Sequence, residues 1–412
     1  MAWVQVEEQE KMNGDDIMKR EIILLAGMAL MSCTQMTEMP DADGLPYDEY
    51  DRVVMVIPSC EFDECPQTKN EVLLSSGIKY VWSEKDTVGI FPTSGSQLYF
   101  SMASGAGEQS ASFDGGGWAL KKGADYFSYF PFVADFYIDK TAIPLRFSGQ
   151  TQTGNGDPSH AYLGNYCYMA AKGEYDEATK ALYFNYQRLG VLFRLMIPVS
   201  AGSYSSIKVD ARKDIIAEKG TYNVMAADQV IYNPEFTDAV DLELCDLTLD
   251  SHGTLVAFIL LPPFDLSTGQ LTLQIEREDG TIHLASVAGK AYSLGKTYNI
   301  APNLSASLNS TLIEGSGGTA VLEIVSDGSS EYSVSSDSDW LQLDSQNGSG
   351  NASIVLTAAT NDGPKRTAEI TVSETVNGVS LKNVFTLTQD VNGMDVGVGD
   401  WEQGEIEDGV AD

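Results

Sequence analysis

The stretch Leu182–Ile197, LYFNYQRLGVLFRLMI, is the most apolar part of the chain beyond the N-terminal segment. Its length would also suit a buried helix, but it is rich in Tyr, Phe and Val, Gly190 interrupts it and Pro198 follows it. Aromatic and β-branched residues favour strands, and Gly and Pro interrupt regular elements. The stretch therefore predicts two successive core strands that bend at Arg188–Gly190.

The same strand-like pattern continues on both sides of this stretch. Leu271, Leu273 and Ile275 alternate with polar residues, which is typical of a half-buried strand. Gly115–Gly117 lies between two aromatic residues and predicts a hairpin turn. Helical periodicity is scarce, and Gly and Pro recur at strand-like intervals. We therefore expect an all-β fold built from β-sandwiches.

The composition changes at Ala301–Asn303, after which Ser, Asn and Gly become frequent. Short apolar segments then recur at the regular spacing of a small sandwich. They are Ala320–Val325, Glu331–Val334, Ile354–Leu356, Ala368–Val372 and Val384–Leu387. The sequence therefore predicts a separate sandwich at 306–391, followed by an acidic flexible tail at 392–412.

The segment Met18–Cys33 has the pattern of a bacterial lipoprotein signal. Two basic residues precede the apolar run Ile22–Met31, which is too short for a membrane-spanning helix. Leu30–Cys33, LMSC, resembles a lipobox, in which a small residue precedes the cysteine that becomes lipidated. We expect residues 1–33 to be a leader and signal peptide, Cys33 to carry a lipid and residues 34–51 to be an acidic tether. A buried N-terminal helix is the alternative.

The net charge of −34 at pH 7 and the pI near 4.2 exclude some partners. Such a chain repels phosphate backbones, so we expect no nucleic-acid binding. Anionic lipid surfaces repel it as well. A body with this charge is therefore expected to stay at a membrane only through its lipid anchor.

Few residues suggest catalysis or metal binding. The three histidines, His160, His252 and His283, are scattered without the spacing of metal ligands. The nucleophile-elbow pattern G-x-S-x-G does not occur. We therefore predict that the chain is not an enzyme and that it has no catalytic residue, no metal and no cofactor.

The sequence does not decide whether two of the cysteines form a disulfide. Cys60 and Cys65 lie close enough in sequence to form one in an exported protein, but sequence alone does not decide the geometry. Their spacing matches neither a zinc site nor a redox C-x-x-C pair. Cys167 and Cys245 are typical of unpaired core thiols.

Exposed aromatic residues would offer a platform for sugar rings. Trp118, Tyr126 and Tyr129 are the candidate glycan contacts, because each ring combines a flat apolar face with a polar edge. Trp340 opens an apolar strand, and we predict that it packs in a core instead.

Residues 52–305 carry several motifs in a characteristic order. These are the first strand Val53–Ile57, the block Val81–Phe91 with its Trp and acidic turn, the aromatic block Tyr126–Pro131, the strand pair Phe184–Ile197 and the closing strand Gly295–Tyr298. The series resembles the fimbrillin-like proteins of Bacteroidetes. The resemblance implies two transthyretin-like β-sandwich lobes, placed here at 52–170 and 171–305, on a lipoprotein of the cell outer membrane.

Ser335–Gln389 resembles a second family. Asp339–Trp340 matches its Asp-Trp signature, Arg366–Val372 matches its Arg-x-Ala-x-Ile-x-Val strand together with the preceding Asn361, and Leu387–Gln389 matches its terminal Thr-Gln. This is the BACON domain, an immunoglobulin-like module of Bacteroidetes surface proteins. The resemblance implies an immunoglobulin-like β-sandwich that either binds glycan or serves as a spacer.

The fimbrillin resemblance also implies assembly into pili by strand exchange. In stalk subunits of that family, a protease cuts after a basic residue that follows the first strand, and the vacated groove accepts a strand of another subunit. The matching residue here is Lys69, where the family usually has Arg. The exchangeable strand alternates between two faces. Its residues are Val53, Met55 and Ile57 on one face and Val54 and Val56 on the other.

Together these features predict a tip, anchor or accessory subunit of a fimbrium that mediates adhesion at the cell surface. Its expected partners are other fimbrial subunits, a host or bacterial surface glycan or protein, and the outer membrane through the lipid. The alternative is a glycan-binding lipoprotein of a polysaccharide-uptake system. The two hypotheses differ in the first strand, because only a pilus subunit needs a replaceable one.

Overall fold

The computed structural model describes residues 49–50, 52–57, 80–135, 137–156, 163–226 and 230–393. The predicted signal with Cys33, the Cys60 and Cys65 pair, Lys69 and most of the acidic tail lie outside these residues. Within them, regular structure is β-strand apart from the short 3-10 helix Leu163–Tyr166, which confirms the all-β prediction. No helix in the described ranges has the length and hydrophobicity needed to cross a membrane.

The strands fall into three successive groups along the chain. The first group is β1 (Arg52–Val56), β2 (Thr87–Pro92), β3 (Leu98–Ser104), β4 (Ser110–Asp114), β5 (Tyr126–Phe130), β6 (Ile143–Arg146), β7 (Gln150–Thr153), β8 (Met169–Asp176), β9 (Ala181–Asn185) and β10 (Gln187–Arg188). The second is β11 (Val191–Val199), β12 (Gly202–Asp210), β13 (Ile216–Tyr222), β14 (Ile231–Thr237), β15 (Ala239–Leu249), β16 (Gly253–Leu261), β17 (Phe264–Asp265), β18 (Gln270–Arg277), β19 (Ile282–Ala288), β20 (Ala291–Tyr292) and β21 (Thr297–Ile300). The third is β22 (Leu304–Leu308), β23 (Leu312–Ile313), β24 (Gly318–Ser326), β25 (Glu331–Ser336), β26 (Leu341–Leu343), β27 (Asn347–Ser349), β28 (Ala352–Ala358), β29 (Arg366–Val376) and β30 (Val379–Gln389).

Seven strands of the first group form a closed ring. Hydrogen bonding runs in the order β8, β5, β2, β3, β4, β1 and β9, and β9 returns to β8. We call these seven strands the first ring. Closure leaves no open edge along the ring, and its interior holds a core rich in aromatic residues such as Trp82, Phe113 and Phe184.

The boundary between the two lobes lies later in the chain than the sequence predicts. Residues 171–188 were expected in the second lobe, but β8, β9 and β10 belong to the sheet of the first ring. The reason is the hairpin of β8 and β9, whose outer edges pair with β5 and β1. The bend predicted in Leu182–Ile197 is confirmed, because β10 ends at Arg188 and β11 begins at Val191.

The second lobe packs directly on the first. Strands β16, β11 and β21 form one sheet, and β19, β18, β12, β15 and β7 belong to the other. Alternate side chains of β16 point to opposite sides: Phe258 and Leu260 join the first core, whereas Ala257 and Ile259 join the second. This sheet is therefore shared by two cores, so the lobes form one packed body.

Side-chain amides satisfy the outer edge of β16. Gln150 accepts from Leu260 N–H through Oε1 at 2.9 Å and donates to Leu260 O through Nε2 at 2.6 Å. Gln152 accepts from Phe258 N–H at 2.8 Å and donates to Val256 O at 2.9 Å. Both glutamines are buried. This pair, the amide ladder, supplies the hydrogen bonds that a neighbouring strand would otherwise make.

The third group continues the sheet of the second lobe. Strand β22 pairs with β19 on one side and with β24 on the other, which produces a sheet of nine strands. The part beyond β22 faces the five-stranded sheet of β23, β30, β29, β25 and β27 across a third core. The predicted boundary at 305/306 therefore falls inside a strand that both regions share.

Polar contacts reinforce this joint. Ser286 on β19 donates to Asn383 Oδ1 on β30 at 2.7 Å. Gln270 on β18 binds the main chain of Lys382, accepting from its N–H at 2.9 Å and donating to its carbonyl at 2.7 Å. Ser305 donates to the carbonyl of Pro198. Such contacts fix one relative position of two packed sheets.

We call strands β22 to β30 the third module. We therefore expect the second lobe and the third module to unfold as one cooperative unit. Amide exchange in increasing urea should deprotect β18, β19 and β24 at the same denaturant concentration, because the sheet between them has no break. If the amides of β24 exchanged at lower urea than those of β18, the joint would be a flexible linker instead.

His283 is a buried titratable group at this joint. It lies on β19 with no exposed surface, beside the ring of Tyr204 and 3.3 Å from Ser200 Oγ. Burial is the main reason that the pKa of His283 falls to about 4; the charge of Arg277 lowers this pKa further and Asp279 opposes it. His283 is therefore neutral near pH 7.

The neutral state of His283 predicts acid sensitivity. The unfolded chain regains a histidine pKa near 6.5, so it binds a proton before the folded chain does as the pH falls. The contribution of neutral His283 to the free energy of unfolding is complete above about pH 6.5. It declines towards about pH 4, by roughly 3 kcal/mol in all. Urea unfolding at about pH 7 and about pH 4.5 should show a smaller acid loss for His283→Gln than for the wild type. Equal acid losses in both proteins would contradict this role.

Candidate functional site

The candidate site is the place that β1 occupies in the first ring, which we call the β1 slot. On one edge β1 runs antiparallel to β4, with Val54 opposite Ser112. On the other edge it runs parallel to β9, with Val54 opposite Tyr183. The strand is therefore held by main-chain pairing on both sides.

The side chains of β1 alternate as the sequence predicts. Val53, Met55 and Ile57 all lie in the core of the first ring. Val54 and Val56 lie outside that core, and of these two Val54 is buried and Val56 is half-buried. Met55 has no exposed surface. Alternate apolar side chains thus fill the slot from the inside.

Further contacts reach main-chain atoms at the end of β1. The indole Nε1–H of Trp82 donates to the carbonyl of Met55 at 3.1 Å. The N–H of Tyr186 donates to the carbonyl of Val56 at 3.0 Å, and the N–H of Ile57 donates to the carbonyl of Gln109 at 2.9 Å. These bonds do not depend on which side chains the strand carries.

An aromatic wall surrounds Met55. The ring of Trp82 lies 4.9 Å from that of Phe113, 5.5 Å from that of Phe130 and 5.9 Å from that of Tyr186. The hydroxyl of Tyr186 lies 3.6 Å from Met55 Sδ. Sulfur and aromatic contacts of this kind suit an adaptable side chain such as methionine.

A buried hydroxyl pair stands behind this wall. The hydroxyls of Tyr186 and Ser128 are 2.5 Å apart, and Ser128 donates to the carbonyl of Gly89 at 3.1 Å. Burial raises the pKa of Tyr186 well above its ordinary value. The phenol is therefore a neutral structural group rather than an acid.

The ring would stay connected without β1. Strand β4 also pairs with β3, and β9 also pairs with β8, so the other six strands form one continuous sheet. Because β1 is the first strand described in the chain, it can leave its place without unthreading the others. Its departure would expose two strand edges and an apolar slot.

The predicted glycan contacts are not brought together at the surface. Trp118 is 43% exposed, but Tyr126 and Tyr129 are only 6% and 0% exposed. Both tyrosines lie on β5, whose inner face contributes to the first core. Tyr129 donates to Gln97 Oε1 and accepts from Val133 N–H, and burial raises its pKa to about 12. Neither tyrosine offers a free ring face to a sugar.

The histidines and cysteines form no chemical centre in the described ranges. His252 pairs with Glu323 at 3.2 Å, His283 is buried, and His160 lies outside these ranges. Cys167 is buried and Cys245 is half-buried. No group of three His, Cys, Asp or Glu side chains there could hold a metal ion.

The motif residues of the third module are structural. Trp340 packs at the edge of the third core, and the Arg366 guanidinium lies 4.5 Å from the centre of its ring. Arg366 also donates to Gln389 Oε1 at 2.7 Å, and Asn361 donates to the carbonyl of Asp390 at 2.9 Å. Trp340 therefore lies half-buried against the third core rather than inside it.

A polar pocket in the third module was not anticipated from the sequence. It has a volume of about 480 Å³ and lies where β25 meets β29; its lining includes Ser330, Tyr332, Asn347 and Glu374. Glu374 Oε2 accepts from Ser330 Oγ at 2.6 Å, and burial raises the pKa of Glu374. The only sequence signal is the local abundance of Ser and Thr, which is common in surface loops.

The comparison with known families identifies the third module. Residues 320–390 match the BACON family model, whose description is "Putative binding domain, N-terminal". The BACON resemblance is therefore confirmed. The matched range covers β24 to β30 and leaves the two lobes outside it.

Several solved structures are similar to the chain. A "putative cell adhesion protein" of Bacteroides ovatus is 13% identical with a TM-score of 0.42, over 62% of this chain and 92% of that one. A protein of the same description from Bacteroides thetaiotaomicron is 7% identical with a TM-score of 0.30, over 61% and 91%. A tip fimbrial protein of Porphyromonas gingivalis is 10% identical with a TM-score of 0.27, over 53% and 85%. No curated protein sequence matches.

Proposed function

We propose that this chain is a cell-surface adhesion protein that acts as a tip, anchor or accessory subunit of a fimbrium. It would join other subunits by strand exchange at the β1 slot. The observation that carries the proposal is that β1 completes the first ring, yet the other six strands remain paired without it. An open strand edge beside an apolar groove binds an extended chain through main-chain bonds.

Two residues outside the described ranges have roles in this proposal. A lipid on Cys33 would hold the uncut protein at the outer membrane. Cleavage after Lys69 would separate β1, together with the lipidated segment, from the rest of the chain and allow it to leave. The body itself would have no enzymatic role.

The test uses the protein recovered from the surface of cells that express it. Samples are run unboiled and boiled on a denaturing gel, and the N-terminus of each band is determined. Strand exchange predicts a heat-sensitive ladder whose bands begin near Asn70. An intact single-chain band that begins at a lipidated Cys33 would contradict a polymerising role.

A second candidate function is glycan binding, and the polar pocket of the third module favours it. Hydroxyl, amide and carboxylate groups such as those of Ser330, Asn347 and Glu374 suit a polyhydroxylated ligand. We expect titration calorimetry with surface glycans to give heat that Glu374→Gln reduces. Identical titrations of the variant and the wild type would exclude this pocket.

A further inference from the structure

Trp82 is held in place by parts of the chain other than β1. The main-chain N–H of Trp82 donates to the carbonyl of Glu108 at 3.0 Å, and its main-chain carbonyl accepts from the N–H of Gly107 at 2.9 Å. Both partners lie in the connection between β3 and β4. The position of the indole is therefore set by the wall of the slot and not by the strand inside it.

The indole ring is fixed by the same wall. Its aromatic neighbours Phe113, Phe130 and Tyr186 lie on β4, on β5 and directly after β9. Trp82 is almost fully buried. The indole Nε1–H points into the slot and donates to a main-chain carbonyl, a group that every residue type provides.

We infer that Trp82 is a sequence-independent clamp that positions whichever strand occupies the β1 slot. The partner it fits is an extended segment of another protein chain with aliphatic side chains at three alternate positions. The carbonyl of the middle position takes the place of the Met55 carbonyl. This inference rests on the proposed function, because it concerns the strand that replaces β1.

The clamp and the side chains have separate tasks. The apolar side chains decide which face of the strand turns inward, because a slip of one residue would turn all three of them outward. The indole hydrogen bond contributes equally to every strand in the correct register. Its removal should therefore weaken different strands by the same factor, whereas a change at the middle side chain should act through packing alone.

The experiment uses the full chain with a protease site inserted between Ile57 and Tyr80, cut and with both pieces retained. A fluorescent peptide with the sequence of residues 52–57 competes for the slot, and anisotropy gives its affinity. A second peptide carries sulfur in place of the Met55 carbonyl oxygen, which makes this peptide bond a thioamide. Sulfur is a weaker hydrogen-bond acceptor than oxygen. We expect about a five- to tenfold weaker affinity for the thioamide peptide, as for the loss of one hydrogen bond.

The matched variant is Trp82→Phe, which keeps an aromatic ring but lacks the N–H. In this variant the thioamide should weaken binding less than in the wild type, because only the main-chain bond between Met55 and Ala111 on β4 is still affected. A thioamide effect of the same size in both proteins, or no effect in the wild type, would overturn the clamp. If Trp82→Phe does not fold, a peptide with the thioamide at Val53 is the control, because Val53 pairs with β4 as Met55 does, whereas the indole bonds the Met55 carbonyl. Equal losses for the two thioamide peptides would then overturn the clamp.

The outcomes separate the two proposals. If the cut wild-type protein takes up no peptide under any condition, strand exchange fails and the proposed function fails with it. If peptide enters the slot but the indole makes no difference, the proposed function stands and the clamp is wrong.

Discussion

Met55→Asp is expected to be the most damaging substitution in β1, lowering the stability of the first lobe by about 3–5 kcal/mol. Met55 has no exposed surface, its Sδ lies 3.6 Å from the Tyr186 hydroxyl and its carbonyl accepts from the Trp82 indole. A carboxylate there would have no cationic partner within the aromatic wall, so it must either stay charged without water or take up a proton. Urea unfolding followed by tryptophan fluorescence measures the loss.

The matched control is Val56→Asp on the same strand. Val56 points away from the core and is half-buried, so the new carboxylate keeps contact with water and should cost less than about 1.5 kcal/mol. Met55→Leu should also be mild, because it retains nearly the same volume. Similar losses for Met55→Asp and Val56→Asp would contradict the inward position of Met55.

The second large effect is expected at the amide ladder. The double variant Gln150→Met with Gln152→Met keeps the side-chain length but removes the partners of Leu260 N–H and Phe258 N–H. Each buried donor left without a partner costs about 1–3 kcal/mol. We therefore expect the free energy of unfolding to fall by about 3–5 kcal/mol, measured by urea denaturation.

Gln346→Met is the control for this change. Gln346 is exposed in a loop of the third module, so the same substitution should alter stability by less than about 0.5 kcal/mol. If the double variant were as stable as this control, the edge of β16 would not depend on the ladder. Faster exchange confined to the amides of Phe258 and Leu260 would show that the edge itself is affected.

Local patterns predicted the strands well because they depend on neighbouring residues. The alternation of Val53, Met55 and Ile57 gave the inner face of β1, and Gly190 with its flanking aromatic and aliphatic residues gave the bend before β11. The Asp-Trp and Arg-x-Ala motifs gave the third module, which the family match confirms. In each case the information lies within a few residues of the element.

Long-range pairing could not be predicted in the same way. The closure of the first ring depends on β9 meeting both β8 and β1, and nothing within Ala181–Asn185 specifies two partners. The continuous nine-stranded sheet depends on β22. This strand lies where the composition becomes rich in Ser and Asn, so local patterns place a domain boundary there. Nothing near Gln150 and Gln152 in the sequence indicates that they are buried, because their hydrogen-bond partners lie more than a hundred positions away.

The candidate glycan contacts show a different limit. Tyr126 and Tyr129 belong to a dense aromatic block, and composition alone does not tell an exposed platform from a core. Segments distant in the chain bury both: Tyr126 lies on the inner face of β5, whereas Tyr129 lies on the outer face and is covered by Phe91, Gln97 and Val133. The same argument explains why the polar pocket near Glu374 was missed, since its walls come from separate hairpins.

A reversible lock on β1 decides whether another chain's strand can replace it. Val54→Cys with Ser112→Cys places two thiols opposite each other on β1 and β4, where a disulfide would hold β1 in its slot. Ser101→Cys with Asp114→Cys joins β3 to β4 and serves as the control. The readout is the unboiled ladder from the cell surface. If strand replacement occurs, the locked protein should form no ladder until a reductant is added, and the control should assemble normally. A full ladder from the oxidised Val54–Ser112 variant would show that β1 need not leave its slot.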